Sequence, residues 1–121
     1  MVVEDDQDIR EALVDALHFE GYDVYCAGNG KEALDQLKEL STENLPGCII
    51  LDLMMPVMTG SEFLEEIDHE TAALSQIPIV VASANLDFKV NESHVVSKLK
   101  KPMDIDQIFE AAHRFCGDPI H

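Results

Sequence analysis

Two hydrophobic rhythms alternate along the chain. Short apolar runs, many of them β-branched, occupy Met1–Val3, Tyr22–Ala27, Cys48–Leu51, Ile77–Ala82 and, less cleanly, His94–Leu99. Apolar side chains at successive positions need cover on both faces, which is the pattern of strands buried in a parallel sheet. Between the runs, apolar residues recur at helical spacing. Ile9, Leu13, Ala16 and Leu17 form one stripe, Ala33, Leu34 and Leu37 a second, Phe63, Leu64 and Ile67 a third, and Ile105, Ile108, Phe109 and Ala112 the last. Gly21 stops the first helix. Asn29 with Glu32 three residues on opens the second, Thr59-x-x-Glu62 opens the third, and Asp104 stands near the start of the last. Residues 85–93 are polar and poorly periodic, so the fourth helix is expected to be short. Pro46, Pro56, Pro78, Pro102 and Pro119 fall at or near the predicted boundaries. The pattern is βα five times. It predicts an α/β fold, a doubly wound three-layer sandwich around a parallel five-stranded sheet with right-handed crossovers.

Composition narrows the picture. The 121 residues, 46% hydrophobic, are enough for one domain over 1–121 with a single core. The 24 acidic residues against 8 basic ones give a formal charge of −16, which opposes a nucleic-acid-binding surface. Lys98, Lys100 and Lys101 cluster against that trend. Either Lys98 and Lys100 are solvated strand-end charges or they meet an acidic partner. No apolar run reaches the roughly 20 residues of a membrane span, and the N-terminus has neither a basic region nor an apolar targeting core. A cytoplasmic location is therefore expected. Cys26, Cys48 and Cys116 are widely spaced, odd in number and without a C-x-x-C motif, so the expectation is three reduced thiols rather than a disulfide or a zinc site.

The candidate chemistry follows the strands. After the first come Glu4, Asp5 and Asp6, after the third Asp52, after the fourth Ser83, and after the fifth Lys101 followed by Pro102. In the common strand order 2-1-3-4-5, the first and third strands are neighbours at the topological switch point, where ligands bind beyond the carboxyl ends. Glu4, Asp5 and Asp52 would converge there. Two like charges about 4 Å apart cost roughly 4 kcal/mol at an effective dielectric near 20. A site that accepts that cost is built for a cation or keeps one acid protonated. Oxygen-only ligands point to a hard ion, Mg²⁺ above all, with positions left for water and phosphate oxygens. A hydroxyl at Ser83 and an ammonium at Lys101 suit a phosphoryl group. Taken alone, "EDDQD" reads equally well as a charged helix start.

In their order and spacing, "VVEDD" at 2–6 with Arg10 beyond it, "DLMMPVMTG" at 52–60, the pair Ser83–Ala84 after "IVVA", and "KKP" at 100–102 resemble the receiver domain of two-component response regulators, over nearly the whole chain. The resemblance implies a flavodoxin-like fold. It implies a phosphorelay switch in which Asp52 is the phosphoacceptor, taking a phosphoryl group from the phosphohistidine of a histidine kinase or a histidine phosphotransfer protein. Asp5 and Asp52 would bind Mg²⁺ (or Mn²⁺) through carboxylate oxygens, Met54 through its backbone carbonyl, and Glu4 through water, leaving Asp6 as an extra acid. Ser83, Ala84 and Lys101 would bind the phosphoryl group and move with it. A cis bond before Pro102 would aim Lys101. Met54 and Asn85 would tune how long the phosphate lasts. A conformational change would signal to an output partner, from a monomer or a phosphorylation-dependent dimer, without turnover catalysis.

Four features depart from the family pattern. Lys98 stands where an aromatic switch residue is usual, the stretch from Ser83 to Lys101 is short, the first strand begins at Met1, and the chain ends just after the last helix. Three rival readings follow. A receiver-like interaction scaffold with impaired switching would keep the fold and lose the signal. A Mg-dependent phosphohydrolase of the haloacid-dehalogenase type also forms an aspartyl phosphate, but wants an aspartate where Met54 stands. A flavodoxin-like FMN binder wants a Ser/Thr/Gly-rich loop where "EDDQD" stands.

Overall fold

Five short strands pair side by side, all parallel, in the order β2-β1-β3-β4-β5. A computed structural model of the chain describes residues 1–53, 60–84, 95–101 and 104–116. The strands are β1 (Val2–Val3), β2 (Cys26–Ala27), β3 (Ile49–Asp52), β4 (Ile79–Ser83) and β5 (Val95–Lys100). The helices are α1 (Gln7–Phe19), α2 (Gly30–Glu39), α3 (Gly60–Asp68), a single turn α4 (Ala72–Ser75) and α5 (Ile105–Ala111), which runs on into a π-helical turn over Ala112–Cys116.

The period of two along each strand sorts the core into two layers. Val3, Ile49, Leu51, Ile79 and Val81 pack on one side with Ala33, Leu34 and Leu37 of α2 and Phe63, Leu64 and Ile67 of α3. Val2, Ile50 and Val80 pack on the other with Leu13 and Leu17 of α1 and Ile108 and Ala111 of α5. Each fully buried Val, Leu, Ile or Phe among them contributes about 1.5–3 kcal/mol relative to exposure. The two layers hold the centre of the sheet still, and the site stands on that centre.

The helix ends form where the local chemistry places them. Asn29 accepts a hydrogen bond from the Glu32 N–H at 2.9 Å, while the Glu32 carboxylate reaches back to the Gly28 N–H. Asp104 and Gln107 make a reciprocal capping box on α5. Gly21, at φ 103°, adopts the left-handed conformation that ends α1. Asp6, read from the sequence as an extra acid, instead caps α1 by accepting from the Ile9 N–H at 3.1 Å.

The turn α4 was not anticipated, because four residues with one buried side chain, Leu74, carry no periodicity to read. The fourth helix expected over 85–93 lies outside the described residues, as does Thr59. The expectation of three reduced thiols is corrected: Cys48 and Cys116 are joined in a disulfide, with Cα atoms 5.0 Å apart across a sequence separation of 68. Cys26 is free and exposed. Linear spacing gave no hint of the pair, since it is the packing of the last helix in the same core layer as Ile50 of β3 that brings the two together. Among the described residues no helix is long and apolar enough to cross a membrane.

β5 lies at the sheet edge and alternates half-buried Val95, Ser97 and Leu99 with exposed Val96, Lys98 and Lys100. Exposed lysines blunt such an edge against further pairing. One extra residue on β5 shifts its register against Ile79–Val80. Beyond that shift Ser83 pairs with Lys100, which sets the position of Lys101.

Candidate functional site

β1 and β3 are neighbours, so the loop after β1 and the end of β3 open side by side. Asp52 is the last residue of β3, pairs with Ala82 of β4 and is 5% exposed. Glu4 follows β1 and is 2% exposed, held at both ends of its backbone. Its N–H donates to the Ala27 carbonyl at 3.1 Å, and its carbonyl accepts from Arg10 Nη1 at 2.8 Å. Arg10, a spacing marker in the sequence, is thus a strut under the acidic loop. It leaves little space beside Gly28, where a Cβ would come within 3.3 Å of the guanidinium. Asp5 is exposed at the mouth. One carboxylate oxygen each from Glu4, Asp5 and Asp52 falls within a single 4.8 Å cluster.

Lys101 enters from the fifth strand end. Its N–H donates to the Ser83 carbonyl at 2.8 Å, which fixes the backbone. Its Nζ then reaches Glu4 Oε1 at 2.8 Å and Asp52 Oδ2 at 3.1 Å. Ser83 ends β4 and is 5% exposed, and Ala84 beside it is exposed. The structure therefore brings together Glu4, Asp5, Asp52, Ser83 and Lys101. It places Lys98 on the exposed side of β5, opposite Val81 in register. Met54, Asn85 and Pro102 lie outside the described residues. His113 is exposed and meets Tyr22 edge-on at 6.0 Å, away from these acids.

The electrostatics show what the cluster lacks. Burial, then the hydrogen bond and charge of Asp52, push the Glu4 carboxyl up to about 7, with Lys101 opposing. Burial pulls the Lys101 ammonium down, but its hydrogen bonds to Glu4 and Asp52 outweigh that and leave it raised. Glu4 Oε2 is buried without a hydrogen-bond partner among the described residues. An orphaned buried carboxylate oxygen amid an oxygen-only donor set is what a hard cation would satisfy.

A pH prediction follows for metal-free protein. Unfolded, Glu4 titrates near its ordinary value of 4.5, and folded near 7. Between those values the native state holds more protons than the unfolded chain, so stability falls as pH rises and levels off above about 7. The loss attributable to Glu4 is of order 2–3 kcal/mol. Chemical denaturation in a chelator at pH 5 and pH 8 should show it as the difference between wild type and Glu4→Gln. Parallel profiles for the two proteins would refute it.

A family model described as the response regulator receiver domain matches residues 1–113. Sporulation initiation phosphotransferase F of Bacillus subtilis is 31% identical over 117 residues, covering 95% of this chain and 90% of that protein. Other curated relatives are longer, and the chain spans 54% and 34% of the length of two of them. A CheY-like response regulator receiver domain protein from Methanospirillum hungatei superposes with a TM-score of 0.83 at 29% identity, covering 97% of this chain and 92% of that one. The response regulator TrrA of Thermotoga maritima, in complex with Mg²⁺ and BeF, superposes with a TM-score of 0.77 at 27% identity, covering 94% and 95%.

Proposed function

The chain belongs to the response regulator receiver domain family, and on that premise we propose that it is a phosphoacceptor switch in which Asp52 takes a phosphoryl group from a phosphohistidine. The observation that carries this reading is the approach of Lys101 Nζ to Asp52 Oδ2, 3.1 Å, inside the three-carboxylate cluster. In the transfer, an Asp52 carboxylate oxygen attacks phosphorus, the P–N bond to the donor histidine breaks, and the leaving imidazole takes up a proton. The nucleophile must be anionic and fixed. Burial at the end of a four-residue strand fixes it, and the Lys101 ammonium favours its charged form.

Glu4, Asp5 and Asp52, with the Met54 carbonyl, would hold Mg²⁺, which supplies charge neutralisation at the phosphoryl oxygens. The fit rests on the donor chemistry and on the orphaned Glu4 Oε2. Lys101, bridging Glu4 and Asp52, supplies a positive charge there itself and is placed to neutralise a phosphoryl oxygen. The Ser83 hydroxyl would hydrogen-bond another oxygen of the group, with Ala84 moving beside it. Positioning and electrostatics supply the catalysis of such a transfer.

The phosphate adds roughly −1.5 to −2 of charge. That change would bias the β4–β5 edge, read by a protein partner, since a net charge of −16 repels nucleic acid. Lys98 gives this edge a charged side chain where an aromatic reporter is usual. The donor would be a histidine kinase or a histidine phosphotransfer protein. The direct test is incubation with Mg²⁺ and acetyl phosphate followed by intact-mass measurement. One phosphoryl adduct is expected, and its absence sinks the proposal.

The lifetime of that adduct is a separate prediction. Met54 stands two residues after the acceptor, and an apolar side chain there orients no attacking water. After donor removal the adduct should decay over many minutes or longer. A half-life of seconds would contradict this assignment of Met54.

A further inference from the structure

The disulfide lies at the opposite end of β3 from Asp52. Cys48 immediately precedes the strand and is 3% exposed, while Cys116 ends the π-helical turn after α5 and is half-buried. Their Cα separation of 5.0 Å lies inside the range that a disulfide spans. The neighbouring backbones are in close contact too, since a Cβ on Gly47 would stand 3.1 Å from the Cys116 carbonyl oxygen. Both cysteines line a cavity of about 560 Å³, walled also by Leu17, Tyr22 and Leu45. That volume is within the range that receives small molecules. A small thiol or disulfide therefore has a route to the sulfurs, and the sulfurs need no large backbone movement to part or rejoin.

We infer that Cys48 and Cys116 form a reversible redox site, a dithiol–disulfide couple that exchanges with a low-molecular-weight disulfide through this cavity and, when closed, ties the C-terminal helix to the strand bearing Asp52. In the closing direction the Cys116 thiolate, the more exposed of the two, attacks one sulfur of the small disulfide. An S–S bond forms to Cys116 and the first small thiolate leaves. The Cys48 thiolate then attacks the Cys116 sulfur, forming the internal disulfide and releasing the second small thiolate. The two protein thiols are oxidised, the small disulfide is reduced to two thiols, and the two protein protons end on them. A large excess of small thiol runs the same steps backwards.

The tie closes a loop across 68 residues, and cross-links over long loops restrict the unfolded chain most. A melting temperature higher by roughly 10 °C in the oxidised form is the expected size for a chain of this length. Cys26 is exposed and free, so Cys26→Ser leaves only the two thiols in question. That variant would be equilibrated in glutathione buffers of graded ratio, quenched, alkylated after denaturation and weighed. Alkyl adducts should fall from two to none together, with peptide mapping joining residues 48 and 116 and the melting temperature rising in step. Two alkylated thiols at every ratio would overturn the redox site. A disulfide that forms but leaves the melting temperature unmoved would overturn the tie. Cys116→Ser in the same background should carry one adduct in reduced buffer and show no redox-dependent melting, and a persistent shift would also overturn it.

Discussion

Asp52→Asn is expected to remove the phosphoryl adduct entirely while leaving the protein folded. The amide keeps the shape of the carboxylate but cannot form an acyl phosphate. The loss should not be one of stability. Asp52 raises Glu4 through a hydrogen bond and through its charge, so removing that charge lets Glu4 titrate lower. The pH-dependent fall in stability should therefore shrink in the variant, and at pH 8 without metal the variant should be at least as stable as wild type. Intact mass after acetyl phosphate and Mg²⁺ reads the first effect, and denaturation at pH 5 and 8 reads the second. The same adduct on the variant would refute Asp52 as acceptor. A variant that fails to fold would refute the account of the cluster as mutually repelling acids.

Gly60→Ala should destabilise the protein by about 3 kcal/mol or more, even though alanine favours a helix over glycine by up to ~1 kcal/mol. Gly60 is the first residue of α3, and its N–H donates to the Leu53 carbonyl at 2.9 Å. A Cβ there would stand 2.5 Å from the Leu53 Cα and 2.8 Å from the Asp52 carbonyl oxygen. Both are backbone atoms at the end of β3, so relief requires moving the strand end that carries Asp52. The clash outweighs the propensity gain. A thermal melt should fall by roughly 10 °C, and phosphorylation by acetyl phosphate should slow in the protein that remains folded. A melt within about 2 °C of wild type would show that the loop yields freely and that Gly60 does not set the position of Asp52.

Much of this molecule is written locally. The alternation of buried strand and amphipathic helix predicts the parallel sheet, because periods of two and 3.6 residues report which faces need cover. Asn29 and Asp104 announce their helix starts for the same local reason. The acids and the lysine at the strand ends are visible too, since four strand ends agree in their chemistry although each one alone has an ordinary structural use. Other features depended on which elements become neighbours. The resemblance divides "EDD" only into an acidic pair, Glu4 and Asp5, and an extra acid, Asp6, without giving their burial or the task of Asp6. In the fold Glu4 is buried at the switch point, Asp5 stands at the mouth, and Asp6 turns away to cap α1. Nor did it show that Arg10 braces the Glu4 carbonyl, or that burial beside Asp52 lifts Glu4 to about 7.

The cysteines mark the boundary most sharply. Spacing argued against any pair, yet Cys48 and Cys116 meet because β3 begins where the last helix ends. Which residue types lie at each strand end, and the rhythm that makes them strand ends, belong to the sequence alone. Distances between strand ends, desolvation of one carboxyl rather than another, and the covalent meeting of two remote thiols belong to tertiary structure. Each of these depends on the separation of atoms far apart in the chain, and no local pattern encodes that separation.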